Sequence, residues 1–279
     1  MRRAITVQTL HRFSLAPFLL CTIAVLSLYA QAPDTLWTRT YGGSDWDEGY
    51  SILETSDGSY VVLGGTASFG PNYDISLIKI DSSGDTLWTR LYSTSGSETG
   101  YCINETSDGG YIITGWTDWI DFNGDCYLVK INSNGDTVWT RTYGGAGYDE
   151  GYVGSETADG GYIIAGYTDS YGIGGDMYII KTDASGDTMW TRHYGGNDLE
   201  FASGIQELIG VGYVVAGVTA SYGSGFEDAY LLKLNQDGDT IWTKTYGRAN
   251  CVDWALSVEL LSDGGYILAG WTVPYTYVN

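Results

Sequence analysis

The stretch GDTVWTRTYGG, residues 135–145, decides how this chain is read. Close copies stand at 84–93 (GDTLWTRLYS), 186–196 (GDTMWTRHYGG) and 238–248 (GDTIWTKTYGR), and a shorter one at 34–43 (DTLWTRTYGG). The tryptophans fall at Trp37, Trp88, Trp139, Trp190 and Trp242, a period of about 51 residues, and a fixed period of that length marks a repeat architecture. Within one period four apolar runs recur. In the first full unit they are GYSILET (49–55), SYVVLGGT (59–66), DISLIKID (74–81) and DTLWTRLY (85–92). Runs rich in Tyr, Ile, Val and Thr, bounded by Asp-Gly and Ser-Gly, read as strands joined by tight hairpins. No window carries a helical apolar period.

Four antiparallel strands per unit of this size is the signature of a β-propeller blade. The expectation is an all-β propeller with four complete units and partial terminal units, giving about five blades or an incomplete ring. A lone fourth strand, Asp34 to Tyr41, precedes the units, and Val252 to Thr272 supplies the first two strands of a fifth. In strand four, Leu87/Trp88, Val138/Trp139, Met189/Trp190 and Ile241/Trp242 are adjacent, so their side chains leave on opposite faces. Both being large and apolar, they predict a sheet buried on both sides, as a blade between two blades is.

KIDSSGDTLW, KINSNGDTVW, KTDASGDTMW and KLNQDGDTIW resemble the blade-ending motif of quinoprotein-like propellers, in which a glycine-containing hairpin leads to a tryptophan docked on the next blade. With DGGYIIAGYT and the YGG linker, the whole unit is similar to the repeats of secreted bacterial β-propeller proteins over 34–279. The aspartate stands one residue nearer the tryptophan than in the quinoprotein motif, and no quinone is implied. The resemblance implies architecture; it names no ligand.

The chain opens with a basic MRRAITVQTLHR, then FSLAPFLLCTIAVLSLYAQA ending in small-x-small at Ala30-Gln31-Ala32. This reads as a secretory signal peptide, residues 1–32, cleaved after Ala32, with the propeller over 33–279. Cleavage removes Arg2, Arg3 and Arg12 and no acid, taking the net charge from −21 to −24. Such a surface repels nucleic acid and anionic lipid, and no membrane insertion is expected after cleavage. The expected location is extracellular or on the cell surface. Cys102, Cys126 and Cys251 recur at no common repeat position, and two strand spacings between Cys102 and Cys126 are too many for a disulfide.

The basic residues form two series. Lys79, Lys130, Lys181 and Lys233 share a position in strand three; Arg39, Arg90, Arg141, Arg192 and Lys244 share one in strand four. Repetition in every blade marks them as structural, with the equally regular Glu54, Glu105, Glu156 and Glu207 or Asp74, Asp125, Asp176 and Asp228 as expected partners. Outside both series only Arg248 remains, too few cations for the arginine cluster of a sialidase. His193 replaces Thr or Leu of other units, without a nucleophile motif around it.

The candidate site lies on the face carrying the long loops, such as YGGSDWDEG (41–49), DWIDFNGD (118–125) and YGGAGYDEG (143–151). Aromatic and acidic residues meet there: Trp46, Asp47, Glu48, Trp119, Asp121, Tyr148, Asp149, Glu150, Tyr171, Glu200, Tyr222, Asp253 and Trp254. Exposed rings stack on sugars and anchor protein partners. Asp47, Glu98, Asp149, Glu200 and Asp253, each leading into a first strand, are expected to ring the channel mouth. No catalytic residue is assigned. Calcium is the one cofactor left open, at Asp121, Asn123 and Asp125, an incomplete oxygen-rich loop. The expected function is a non-catalytic binding or scaffold module for a glycan or an extracellular protein. The alternative is a carbohydrate-active hydrolase or lyase using carboxylate pairs such as Asp149/Glu150.

Overall fold

The computed structural model describes residues 35–117 and 124–274 and the backbone of the strand at 5–8. Every element among the described residues is a strand. Strand β1 (Ile5–Gln8) pairs antiparallel with β2 (Thr38–Tyr41), Ile5 lying opposite Tyr41. Four four-stranded antiparallel sheets follow in strict sequence order. Blade 1 is β3 (Asp47–Glu54), β4 (Tyr60–Thr66), β5 (Asp74–Ile80) and β6 (Thr86–Tyr92). Blade 2 is β7 (Glu98–Glu105), β8 (Tyr111–Thr117), β9 (Asp125–Ile131) and β10 (Thr137–Tyr143). Blade 3 is β11 (Asp149–Glu156), β12 (Tyr162–Thr168), β13 (Asp176–Thr182) and β14 (Thr188–Tyr194). Blade 4 is β15 (Glu200–Leu208), β16 (Gly212–Thr219), β17 (Asp228–Asn235) and β18 (Thr240–Tyr246). A two-stranded sheet, β19 (Cys251–Leu260) with β20 (Tyr266–Pro274), ends the array.

The protein is a β-propeller with an open ring. Among the described residues β20 pairs with β19 alone and β2 with β1, so no ladder joins the two ends.

Burial follows from the two-residue period of a strand. In β4, Val61 and Leu63 pack into the core shared with blade 2, while Val62 packs toward Trp37 and Tyr41 beside β2. The same alternation splits Ile112 from Ile113 and Ile163 from Ile164. Each of five apolar clusters therefore lies between consecutive sheets, and central strands are buried on both faces. Strand four departs from the sequence reading. Leu87, Val138, Met189 and Ile241 are more than half exposed, because strand four is the outer edge and only its tryptophan side meets a neighbour.

The blades are riveted by strand four. Tyr92 donates to the Gly135 carbonyl (2.8 Å), Tyr143 to Gly186 (2.7 Å) and Tyr194 to Gly238, each reaching the β-hairpin of the following blade. Trp37 and Tyr41 of the lone strand dock on blade 1 in the same way, through the Ser82 and Gly84 carbonyls. The tryptophan rings cover those hairpin glycines, which are buried and have φ near +80°.

The two basic series are structural, with partners other than those expected. Arg39, Arg90, Arg141 and Arg192 reach Asp85, Asp136, Asp187 and Asp239 of the next blade at 3.3–4.0 Å, and each of these acids belongs to the repeated Gly-Asp-Thr. Lys79, Lys130 and Lys181 pair within their own blade with Asp57, Asp108 and Asp159 of the first hairpin at 2.8–2.9 Å. Blade 4 has Ile209-Gly210-Val211 in that turn, and Lys233 forms no ion pair among the described residues. The expected Glu105 and Glu156 instead accept from Ser56 and Ser107 of the preceding blade, and Glu207 accepts the Ala158 N–H.

The Lys–Asp pairs predict an acid limb. Hydrogen bonds from Lys79, Thr55 and Ser59 pull Asp57 far down. Burial alone would raise Asp108 and Asp159; bonds from Thr106 and Lys130, and from Thr157 and Lys181, outweigh it and hold both at about 2. A carboxyl lowered on folding stabilises the fold above its unfolded pKa of about 4 and loses that contribution as pH falls through the folded value. The melting temperature is expected to drop as pH goes from about 4 to about 2, and Asp108→Asn to flatten part of that limb. The acids are largely solvent-facing, so each step is small. An unchanged limb in Asp108→Asn would remove this assignment.

Candidate functional site

Each first strand carries a β-bulge at one repeat position. The register slips between Gly49 and Ser51, Gly100 and Cys102, Gly151 and Val153, Ala202 and Gly204, and Ala255 and Ser257. The bulged residues are Tyr50, Tyr101, Tyr152, Ser203 and Leu256. A bulge adds a residue to one strand and re-aims its side chain. Here it brings three tyrosines into an edge-to-face row along the inner strands, with Tyr50–Tyr101 centroids at 5.7 Å and Tyr101–Tyr152 at 5.5 Å. Phe201 continues the row at 6.2 Å from Tyr152, followed by Trp254 at 4.9 Å and Trp271 at 4.8 Å.

Two glutamates hold this row. Glu150, 7 % exposed, accepts hydrogen bonds from the phenols of Tyr101, Tyr148 and Tyr152. Glu48 accepts from Tyr50 (2.5 Å) and, at the limit of bonding distance, from Tyr73. Trp116 Nε1 donates to the Tyr101 oxygen at 2.8 Å, and Trp254 Nε1 donates to Glu227. Burial, reinforced by the adjacent Glu150, pushes the Tyr148, Tyr152 and Tyr101 phenols well above the ordinary tyrosine range. They remain donors at any physiological pH. The result is a wall of aromatic edges with carboxylates fixed among them, suited to stacking and hydrogen bonding.

The acids that open the first strands have a different task. Strand alternation sends Asp149 away from its neighbour Glu150, and Asp47 away from Glu48. Asp47, Asp149 and Glu200 accept linker N–H groups from Gly43, Gly145 and Gly196, each at 2.8 Å, and Glu98 accepts from Thr94. Thr66, Thr117 and Thr219 donate their hydroxyls to Asp47, Glu98 and Glu200. All four acids are buried, and Asp253 accepts the Arg248 N–H at 2.9 Å. Four of these acids are buried in fastening the linker between blades, and the half-buried Asp253 holds the linker at Arg248. Asp149 and Glu150 accordingly do not form a cleft pair.

Tyr171 and Tyr222 occupy one repeat position and donate to the carbonyls of linker glycines Gly144 (2.9 Å) and Gly195 (2.8 Å). Their rings stay 39 % and 45 % exposed, and Trp46, before blade 1, is 45 % exposed. His193 stacks on Tyr171 and lies 2.8 Å from Asp176. Trp119, Asp121 and Asn123 lie outside the described residues; Asp125 begins β9. Cys102, Cys126 and Cys251 are free. The sequence reading missed Tyr50, Tyr101 and Tyr152. Their signal was the Gly-Tyr pair repeated at 49–50, 100–101 and 151–152.

No protein-family model and no curated protein matches the chain. Solved structures do. A protein of unknown function from Bacteroides caccae is 14 % identical, with a TM-score of 0.49 over 77 % of this chain and 72 % of that one. The WD40 domain of Neurospora crassa Pan2 is 12 % identical, with a TM-score of 0.45 over 76 % and 68 %. BamB from Moraxella catarrhalis is 13 % identical, with a TM-score of 0.43 over 82 % of this chain and 59 % of that one. These likenesses concern sheet architecture and carry nothing about ligand or reaction.

Proposed function

We propose that this propeller is a secreted, non-catalytic binding module that recognises a neutral glycan or an extracellular protein through its long-loop face and the adjoining inner wall. The observation carrying the reading is the aromatic row Tyr50–Tyr101–Tyr152–Phe201–Trp254 with Glu48 and Glu150 set into it. Ring edges and faces supply contact area at low entropic cost, and fixed carboxylates accept hydrogen bonds from hydroxyl groups. An excess of 34 acids over 13 basic residues disfavours anionic ligands and directs the choice to neutral sugars or basic surfaces. Export rests on the N-terminal segment 1–32 and its small-x-small ending. Its removal would take β1 away and bare the edge of β2. Hydrolysis is the weaker reading, since Asp149 is occupied by Gly145 and Ser170 and Glu150 by three phenols.

A glycan array probed with the secreted chain tests the proposal. Binding to a neutral oligosaccharide is expected, weakened at least ~10-fold by Tyr152→Ala or Trp254→Ala, in the range of one lost aromatic anchor. Release of reducing sugar from a bound oligosaccharide, abolished by Glu150→Gln, would replace the binding reading with the enzymatic one.

A further inference from the structure

A corner between blade 4 and β19 carries an oxygen cluster that neither the rivets nor the aromatic row uses. The loop before β17 meets the linker before β19 there. Asp228 is 2 % exposed; its Oδ2 accepts the Ser224 and Gly225 N–H groups, at 2.5 and 3.1 Å. Its Oδ1 is buried without a hydrogen-bond partner. A Cβ at Gly225 would stand 2.6 Å from the Cys251 carbonyl oxygen, 3.1 Å from that of Arg248 and 3.2 Å from Asp228 Oδ1. A Cβ at Gly247 would meet the same Oδ1 and, at 3.1 Å, Asp253 Oδ2. Two carboxylate and two carbonyl oxygens thus crowd one nook from which two glycines withhold side chains. Asn250, at φ 60°, lies in the turn that carries both carbonyls. The Arg248 guanidinium makes no ion pair with either acid among the described residues.

We propose that this corner binds a divalent cation of the calcium class, held by Asp228, Asp253 and the carbonyls of Arg248 and Cys251. A buried, unpartnered carboxylate oxygen such as Asp228 Oδ1 is costly without a cation, and the half-buried Asp253 adds a second carboxylate at the same corner. An all-oxygen, irregular donor set completed by water is what calcium accepts, whereas magnesium demands near-octahedral order. No three acid, histidine or cysteine side chains gather as metal ligands among the described residues, so main-chain oxygens are essential to this site. The corner one blade earlier supports the reading by contrast. There Asp176 Oδ1 is likewise without a partner, but His193 Nδ1 stands 2.8 Å from Asp176 Oδ2, whereas blade 4 has the uncharged Thr245 at that repeat position. The site also differs from the Asp121–Asp125 loop.

Thermal melts of the full chain at pH 7, in EDTA and in about 10 mM CaCl2, test it. With the affinity of an extracellular module, calcium is expected to raise the melting temperature by roughly 3–10 °C. Asp228→Asn keeps the N–H acceptor and removes the unpartnered charge. It is expected to melt no lower than the parent in EDTA and to lose the calcium increment. Gly225→Ala, which fills the nook while keeping both acids, is expected to lose the increment too. A calcium increment that survives Asp228→Asn, or none in the parent, overturns the proposal.

Discussion

Gly166→Ala is expected to destabilise the protein by about 3 kcal/mol, the upper end for overpacking, although it adds a single methyl group. Gly166 lies in β12 opposite Gly151, at the bulge that carries Tyr152. A Cβ there would fall less than 3.0 Å from the Glu150 carbonyl oxygen. The obstacle is backbone, so no rotamer change relieves it, and retreat of β11 would undo the bulge. Gly115, Gly217 and Gly270 meet the carbonyls of Thr99, Phe201 and Trp254 in the same way. Gly160→Ala is the control. It has φ +80° and open space around it, so only left-handed strain of about 1 kcal/mol is expected. Urea unfolding of the two variants separates the causes. If they cost the same, close approach at the bulge is not what Gly166 provides. Under the proposed glycan-binding role, a folded Gly166→Ala is also expected to lose glycan affinity, because the bulge aims Tyr152 at Glu150.

The repeat, the four strands per unit and the hairpins were legible because each rests on local pattern. Trp37, Trp88, Trp139, Trp190 and Trp242 fix the period, and the paired turn glycines fix the hairpins. What depends on register was not legible. Asp149 and Glu150 look like one acidic pair in sequence, yet alternation puts the first under the linker and the second among tyrosines. The bulge at Tyr152 shows only when β11 is laid against β12. Which acid meets Arg141 depends on how blade 3 rotates against blade 2, and that brings Asp187 to it while Glu156 goes to Ser107. Leu87 misled for a related reason: its strand is the outermost, a position that neighbouring residues do not encode.

Trp139→Ala is expected to cost about 3 kcal/mol, while Arg141→Ala costs at most about 1 kcal/mol. Both side chains occupy the rivet between blades 2 and 3, and magnitude decides which one holds it. The indole lies edge-to-face on Tyr162 (5.5 Å) and covers the buried Gly186, so its removal opens a void at the sheet interface. The guanidinium rests over the indole at 5.6 Å and reaches Asp187 at 3.3 Å from an exposed position. Water replaces much of what it offers, and salt screens the rest. A third variant tests the contact itself. Gly186→Ala would place a Cβ 2.9 Å from the Trp139 ring at φ +78°, adding steric conflict to left-handed strain. In a Trp139→Ala background the ring contacts vanish and only the flexible Arg141 Cγ remains close, at 3.0 Å, so the double variant is expected to be more stable than the sum of the two losses implies. Strict additivity in that cycle, or an arginine effect equal to the tryptophan effect, would mean that charge rather than ring packing joins the blades.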